Sequence, residues 1–391
     1  MQTLAAMTTF VLIASLMGTA QTESVVYSFP GGSSNGLTPY STPAYDTHLN
    51  WYVTTMGGGP TSHACPTSCG TVVKLNPTGT TETVLHVFKG APSDGEYPRG
   101  SVFVHENGTV YGTTLAGGTA NAGTVFMITP AGVESLVHSF TDTPDGAFPQ
   151  AGLIRSANGS LYGTTNQGGF LGKGTVFKIT SDGTETIVHS FAGSPGDGQG
   201  PGAGLKQDVQ GNLYGTANGG KFGAGVIFEI TSDGTEKILY NFTGGADGAN
   251  LKGSLQRGTQ GNLYGVATNG GSTNCAAGCG TVFQLAPSGR LKVLYSFTGG
   301  SDGQNPNGEL MLDAQGNFYG TTPGVIGTSN NGAVFKLTHT GVLTIVHSFA
   351  GWPGDGATPF GGLMRNNQGV AYGTTSAGGD SNLGTVYALT F

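Results

Sequence analysis

The sequence predicts an all-β fold, a seven-bladed β-propeller of four-stranded antiparallel blades. Three observations predict it. A strand motif centred on tyrosine recurs at Tyr52, Tyr111, Tyr162, Tyr214, Tyr264, Tyr319 and Tyr372. Its period of about 50–60 residues is that of a small sheet repeated along the chain. A second series of strands ends at Phe29, Phe88, Phe140, Phe191, Phe242, Phe297 and Phe349. The two series are out of step. The first Phe strand precedes any complete repeat, and the last repeat stops after its third strand. A linear array has no use for a spare strand at one end and a missing one at the other. A ring closes by pairing residues 24–29 beside 384–391, which leaves no long edge open.

The cleanest repeat runs from Gly152 to Phe191. Its first strand, near Gly152–Ser156, ends in the turn Ala157-Asn158-Gly159. The second is Ser160 to Thr165, followed by a glycine-rich loop. The third is Gly174 to Thr180. Ser181-Asp182-Gly183 then makes a hairpin, because Asp-Gly tolerates positive φ. The fourth is Glu185 to Phe191. Simple alternation puts Ile187, His189 and Phe191 on one of its faces and Val188 and Ser190 on the other. Both faces carry apolar residues, so one such sheet cannot stand alone and must be covered by its neighbours.

The closing strand and a loop occupy residues 21–36. Unit one, about 37–88, is the most degenerate repeat, with Trp51-Tyr52-Val53-Thr54-Thr55 in place of Leu-Tyr-Gly-Thr-Thr. Units two to six follow, and unit seven is 359–391 completed by 24–29. Between units lies a loop carrying Asp-Gly, at Asp94, Asp145, Asp197, Asp247, Asp302 and Asp355. If the first strand is innermost, these loops share one face of the disc with the second-to-third-strand loops. Variable loops gathered on a rigid scaffold are the usual place for function.

Glycine is 72 of 391 residues, but it is periodic and interleaved with Val, Phe and Tyr, which excludes low-complexity disorder. The net charge of −7 is scattered and there is no basic stripe, so nucleic acid is not an expected partner. Residues 1–20 read as a secretory signal: Leu4 to Met17 is too short an apolar run for a membrane span, and Gly18-Thr19-Ala20 offers small residues for cleavage. Residues 21–391 are then one propeller domain, expected to be a secreted monomer with no membrane span and no cofactor.

Cys65 and Cys69 occupy the second-to-third loop of unit one, and Cys275 and Cys279 the same loop of unit five. Matched pairs in an exported chain suggest two local disulfides. Zinc competes for such pairs, but each lacks a second pair nearby and His63 is the only local imidazole.

Tyr111-Gly112-Thr113-Thr114 with Gly117-Gly118 and Gly123-Thr124-Val125-Phe126, and the same pattern around Tyr162, resemble the GloVer tandem-repeat family. The resemblance covers all seven units. It implies an exported bacterial repeat protein and carries over no catalytic residues. Such proteins often bear a C-terminal sorting anchor. None follows Phe391, so release rather than surface attachment is expected. Val53 and Val266-Ala267 depart from the motif.

Candidate chemistry is sparse. His86, His138, His189 and His347 share one position of the fourth strand with Tyr27, Tyr240 and Tyr295, and read as structural donors, not metal ligands or bases. The Asp-Gly aspartates read as turn formers. Calcium needs about six convergent oxygens, which one Asp per loop does not provide, so no metal is expected. The recurring Thr-Thr pairs read as hydroxyls that satisfy turn backbone or pair across strands. Neither a Gly-x-Ser-x-Gly elbow nor a His-Glu-x-x-His helix is present.

A site in a symmetric ring shows as broken symmetry. The position after the loop proline varies most: Tyr40, Arg99, Gln150, Gly202, Lys252, Asn307 and Phe360. Aromatic, cationic and amide groups around a channel mouth suit a carbohydrate or peptide, with Trp352 as an added stacking platform. The expected function is therefore a binding module for an extracellular glycan or protein ligand. The alternative is a polysaccharide lyase or hydrolase, in which Arg99 and Lys252 neutralise a uronate and Tyr40 acts as acid or base.

Overall fold

A computed structural model describes residues 22–32, 35–61, 63, 65–324 and 331–390. The expected signal segment, residues 1–20, lies outside them. Seven antiparallel sheets of four main strands follow one another around a ring. The seventh contains both ends of the described chain: Thr22–Ser28 pairs with Thr385–Thr390, Val25 opposite Tyr387 and Ser28 opposite Thr385.

Blade 3 shows the common plan, with Ile154–Arg155 innermost, then Leu161–Thr165, Thr175–Ile179 and Glu185–Ser190. The inner strand is shorter than the sequence suggests. Only Ile154 and Arg155 pair with the second strand. The preceding segment turns its carbonyls to the neighbouring blade: the Thr113 hydroxyl of blade 2 donates to Ala151 O at 2.8 Å. Gly152 allows this approach, because a Cβ there would strike the backbone of Ser101.

Simple alternation of the outer strand also fails. Ile187 faces Phe177 and His189 faces Val176, so Val188 is an extra residue in a β-bulge. The bulge bends the strand and re-aims its side chains. Ile187 packs toward blade 2, with Phe140 and Leu161, whereas Val188 and Phe191 pack toward blade 4, with Leu213 and Phe228. A register shift falls at the matching place in every blade.

The core is accordingly a series of clusters between blades. The phenylalanine ending each outer strand meets an aromatic ring of the next blade's third strand edge to face in six of the seven junctions. Phe191 and Phe228, for example, have centroids 5.2 Å apart. Each fully buried ring contributes roughly 1.5–3 kcal/mol relative to exposure.

The Tyr-Gly-Thr-Thr glycine is explained by the same ring. Gly163 lies opposite Phe177, and a Cβ on it would sit 2.5 Å from the phenyl Cζ. Blade 1 makes the reciprocal choice. Val73 replaces the phenylalanine, and Val53, directly opposite, replaces the glycine; both are fully buried.

Candidate binding site at the channel mouth

The first threonine of each Thr-Thr pair fixes the inner segments. Thr54, Thr113, Thr164, Thr321 and Thr374 donate to the carbonyls of Gly100, Ala151, Ala203, Gly361 and Ser41, each on the following blade. The second pairs across its own sheet, as Thr165 Oγ1 with Thr175 Oγ1 at 2.7 Å. These buried hydroxyls hold the polypeptide around the ring centre in one arrangement.

That arrangement brings Tyr40, Arg99, Gln150, Gly202, Lys252, Asn307 and Phe360 to the wall of a single cavity of about 450 Å³. Tyr40 and Phe360 stack, centroids 4.3 Å apart and planes 15° from parallel. The Arg99 guanidinium lies over the Tyr40 ring, 4.6 Å from its centroid. Three successive blades thus supply a continuous Phe–Tyr–Arg stack. Trp352 does not join it. The Trp352 ring stands on the loop before blade 7, 62% exposed, with its N–H donating to Asp380 O.

Asn166, Asn218 and Glu309 also line the cavity and were not singled out from the sequence. The two asparagines directly follow the Thr-Thr or Thr-Ala pair, where other blades carry Met56, Leu115, Thr268, Pro323 or Ser376. That break in symmetry was a usable signal. Glu309 is paired with Lys206. Among the described residues Arg99 and Lys252 form no ion pair, so the mouth carries two uncompensated positive groups in a chain of net charge −7.

A second polar constellation lies between blades. The loop aspartates do form turns: Asp145 Oδ1 accepts the Gly146 amide at 2.7 Å and Oδ2 the Thr141 amide at 3.0 Å. Their other partner is the outer-strand histidine. His86, His138, His189 and His347 lie 3.0, 3.0, 3.3 and 3.2 Å from Asp94, Asp145, Asp197 and Asp355. A glutamate at the start of the next outer strand completes each group: Glu134, Glu185, Glu236 and Glu23. The sequence reading missed these glutamates, because the group is assembled only by the ring.

Burial pushes Glu185 up to about 7, helped by the Asp145 charge and opposed by His138. Burial, then the neighbouring aspartate, does the same for Glu23 and Glu236. For Asp145, burial also acts upward. The hydrogen bonds from His138, Gly146 and Thr141, with the His138 charge, outweigh it and hold the carboxyl below its ordinary value.

The disulfides Cys65–Cys69 and Cys275–Cys279 are formed, with Cα atoms 5.3 and 5.2 Å apart. No helix among the described residues is long and apolar enough to cross a membrane.

Ring closure and a walled centre define this class of protein: a seven-bladed β-propeller with a polar, aromatic-rimmed cavity on its axis. Within that class the chain belongs to the Gloeobacter/Verrucomicrobia repeat family, whose model matches residues 12–220 and 195–387. No curated protein matches the chain. Among solved structures, virginiamycin B lyase from Staphylococcus aureus is 14% identical, with a TM-score of 0.61 over 95% of this chain and 99% of that one. An oligogalacturonate lyase in complex with manganese is 11% identical, with a TM-score of 0.55 over 95% and 97%. At these identities the likeness shows the fold alone.

Proposed function

We propose that the protein is an exported propeller that binds a saccharide at the channel mouth, with preference for chains bearing carboxylates. The observation that carries this reading is the Phe360–Tyr40–Arg99 stack, with Lys252 on the wall of the same cavity. Aromatic faces take the apolar face of a sugar ring, and the amides of Gln150, Asn166 and Asn307 suit its hydroxyls. Arg99 and Lys252 favour an acidic sugar over a neutral one. Residues 1–20 act as the cleaved signal, residues 21–391 as a monomeric secreted domain, and the two disulfides fit an oxidising compartment.

Titration calorimetry with oligouronates and matched neutral oligosaccharides tests the reading. The wild type binds the acidic series more tightly, and Arg99→Ala, Lys252→Ala and Phe360→Ala each weaken it. Equal binding by all four proteins discards the site. The same mixtures are to be screened for unsaturated or reducing ends. Products that vanish in Tyr40→Phe would replace binding by lyase or hydrolase chemistry at this mouth.

A further inference from the structure

The seven junctions between blades fall into two chemical kinds. Where the outer-strand residue is tyrosine, one carboxylate meets it. Tyr240 donates to Asp247 at 3.1 Å and Tyr295 to Asp302 at 3.0 Å, and the next outer strands open with Leu291 and Leu343. Tyr27 donates to Glu82, with no loop aspartate beside it. Where the residue is histidine, two carboxylates meet it, four times out of four: Asp94 with Glu134, Asp145 with Glu185, Asp197 with Glu236, and Asp355 with Glu23.

The tyrosine junctions show that one acid suffices to join neighbouring blades. The second acid at a histidine junction therefore needs its own explanation. Nε2 carries at most one proton and serves one acceptor directly. The aspartate is held in place by backbone amides, one on each oxygen; Asp197 accepts those of Ala192 and Gly198. The glutamates are left short. Oε1 of Glu23, Glu134, Glu185 and Glu236 is buried without a hydrogen-bond partner in all four groups. Glu23 is the clearest case. The side chain is only 9% exposed, and its Oε2 points at His347 Nε2 from 3.7 Å. Two carboxylates, each partly or fully buried, and an unpartnered oxygen, repeated at each histidine and absent at each tyrosine, call for a positive centre.

We propose that each His–Asp–Glu group is a site for a divalent first-row transition ion, such as Zn²⁺ or Mn²⁺, that clips one blade to the next. One imidazole nitrogen and two carboxylate oxygens lie within 4.8 Å of one another in every group. Mixed nitrogen and oxygen donors select such ions over Mg²⁺ and Ca²⁺, which take oxygen alone. The histidine side chains are 13–22% exposed, so water can complete the coordination. This reading replaces the expectation that the histidines serve only as hydrogen-bond donors.

The full chain is stripped with chelator, dialysed against Zn²⁺ or Mn²⁺, and its metal content measured by plasma mass spectrometry. Four ions per chain are expected, one for each group. His189→Tyr combined with Glu236→Leu copies the chain's own Tyr–Asp junction, keeps the fold, and lowers the count by one. Glu23→Gln lowers it by one at a different junction. Circular dichroism confirms that each variant is folded. A wild type that binds no ion, or a count unchanged by both variants, overturns the proposal.

Discussion

Tyr40 of the first blade lies face to face with Phe360 of the last, 4.3 Å between ring centroids. Neither ring is in the core; both line the axial cavity. Phe360→Ala should therefore cost only the pair term, about 0.5–1.5 kcal/mol. Saccharide affinity should drop by more than stability does. Denaturant unfolding and titration calorimetry on the same preparation separate the two effects.

Phe191 marks the opposite extreme. Fully buried, it meets Phe228 of the next blade edge to face. Phe191→Ala should cost about 3–5 kcal/mol, because the rigid ring cannot collapse into the cavity left behind. The loss reads out as a fall in the urea midpoint without change in slope.

Gly163→Val should destabilise by roughly 1–3 kcal/mol through collision with Phe177. Adding Phe177→Val reproduces the Val53–Val73 pair of blade 1 and should recover part of that loss. A double variant no more stable than Gly163→Val alone would mean that blade 1 compensates by some other contact. A double-mutant cycle on melting free energies gives the coupling directly.

The hairpin aspartates set the acid limb of stability. At Asp208, burial acts upward, but the Asn212 side chain and amide, the Tyr214 hydroxyl and the Gln210 amide together hold the carboxyl below its ordinary value of 3.8. Asp46 and Asp313 are held down by matching asparagines. A depressed carboxyl stabilises the fold above its unfolded value, and that contribution disappears as pH falls through the folded one. Stability should fall below about pH 3.8, as protons reach these groups. Asn212→Ala should move the acid-unfolding midpoint to higher pH, as followed by intrinsic fluorescence.

Each disulfide closes a very short loop, so reducing either should cost about 2 kcal/mol on the chain-entropy view. Cys275→Ser with Cys279→Ser should lower the melting temperature without altering metal content. The same measurements on both proteins decide this.

Repetition made much of this molecule legible. The phase difference between the Tyr and Phe series predicted ring closure, and Thr22–Ser28 does pair with Thr385–Thr390. The mouth was legible for a related reason: a position that differs in every copy of a near-identical unit stands out, and Tyr40, Arg99, Lys252 and Phe360 do meet at one cavity. Trp352 is not legible in this way: nearness in sequence to the entrance of blade 7 does not bring its exposed ring to the cavity wall. The bulge at Val188 was hidden, since alternation in one strand says nothing of the register of its partner. Least legible were Glu134, Glu185, Glu236 and Glu23. Each joins a histidine from a different sheet, a contact that exists only once the blades are arranged side by side.

The seventh sheet has a further consequence for how the protein is made. Among the described strands its outer strand is synthesised first and its third strand last. A nascent chain thus carries Thr22–Ser28 unmatched until translation has passed Thr390. A product cut short by proteolysis or early termination leaves Thr22–Ser28 without the strand it pairs with, a further exposed edge on the seventh sheet. Completing the seventh sheet therefore needs both of these segments in one chain, because neither finds its partner within its own repeat.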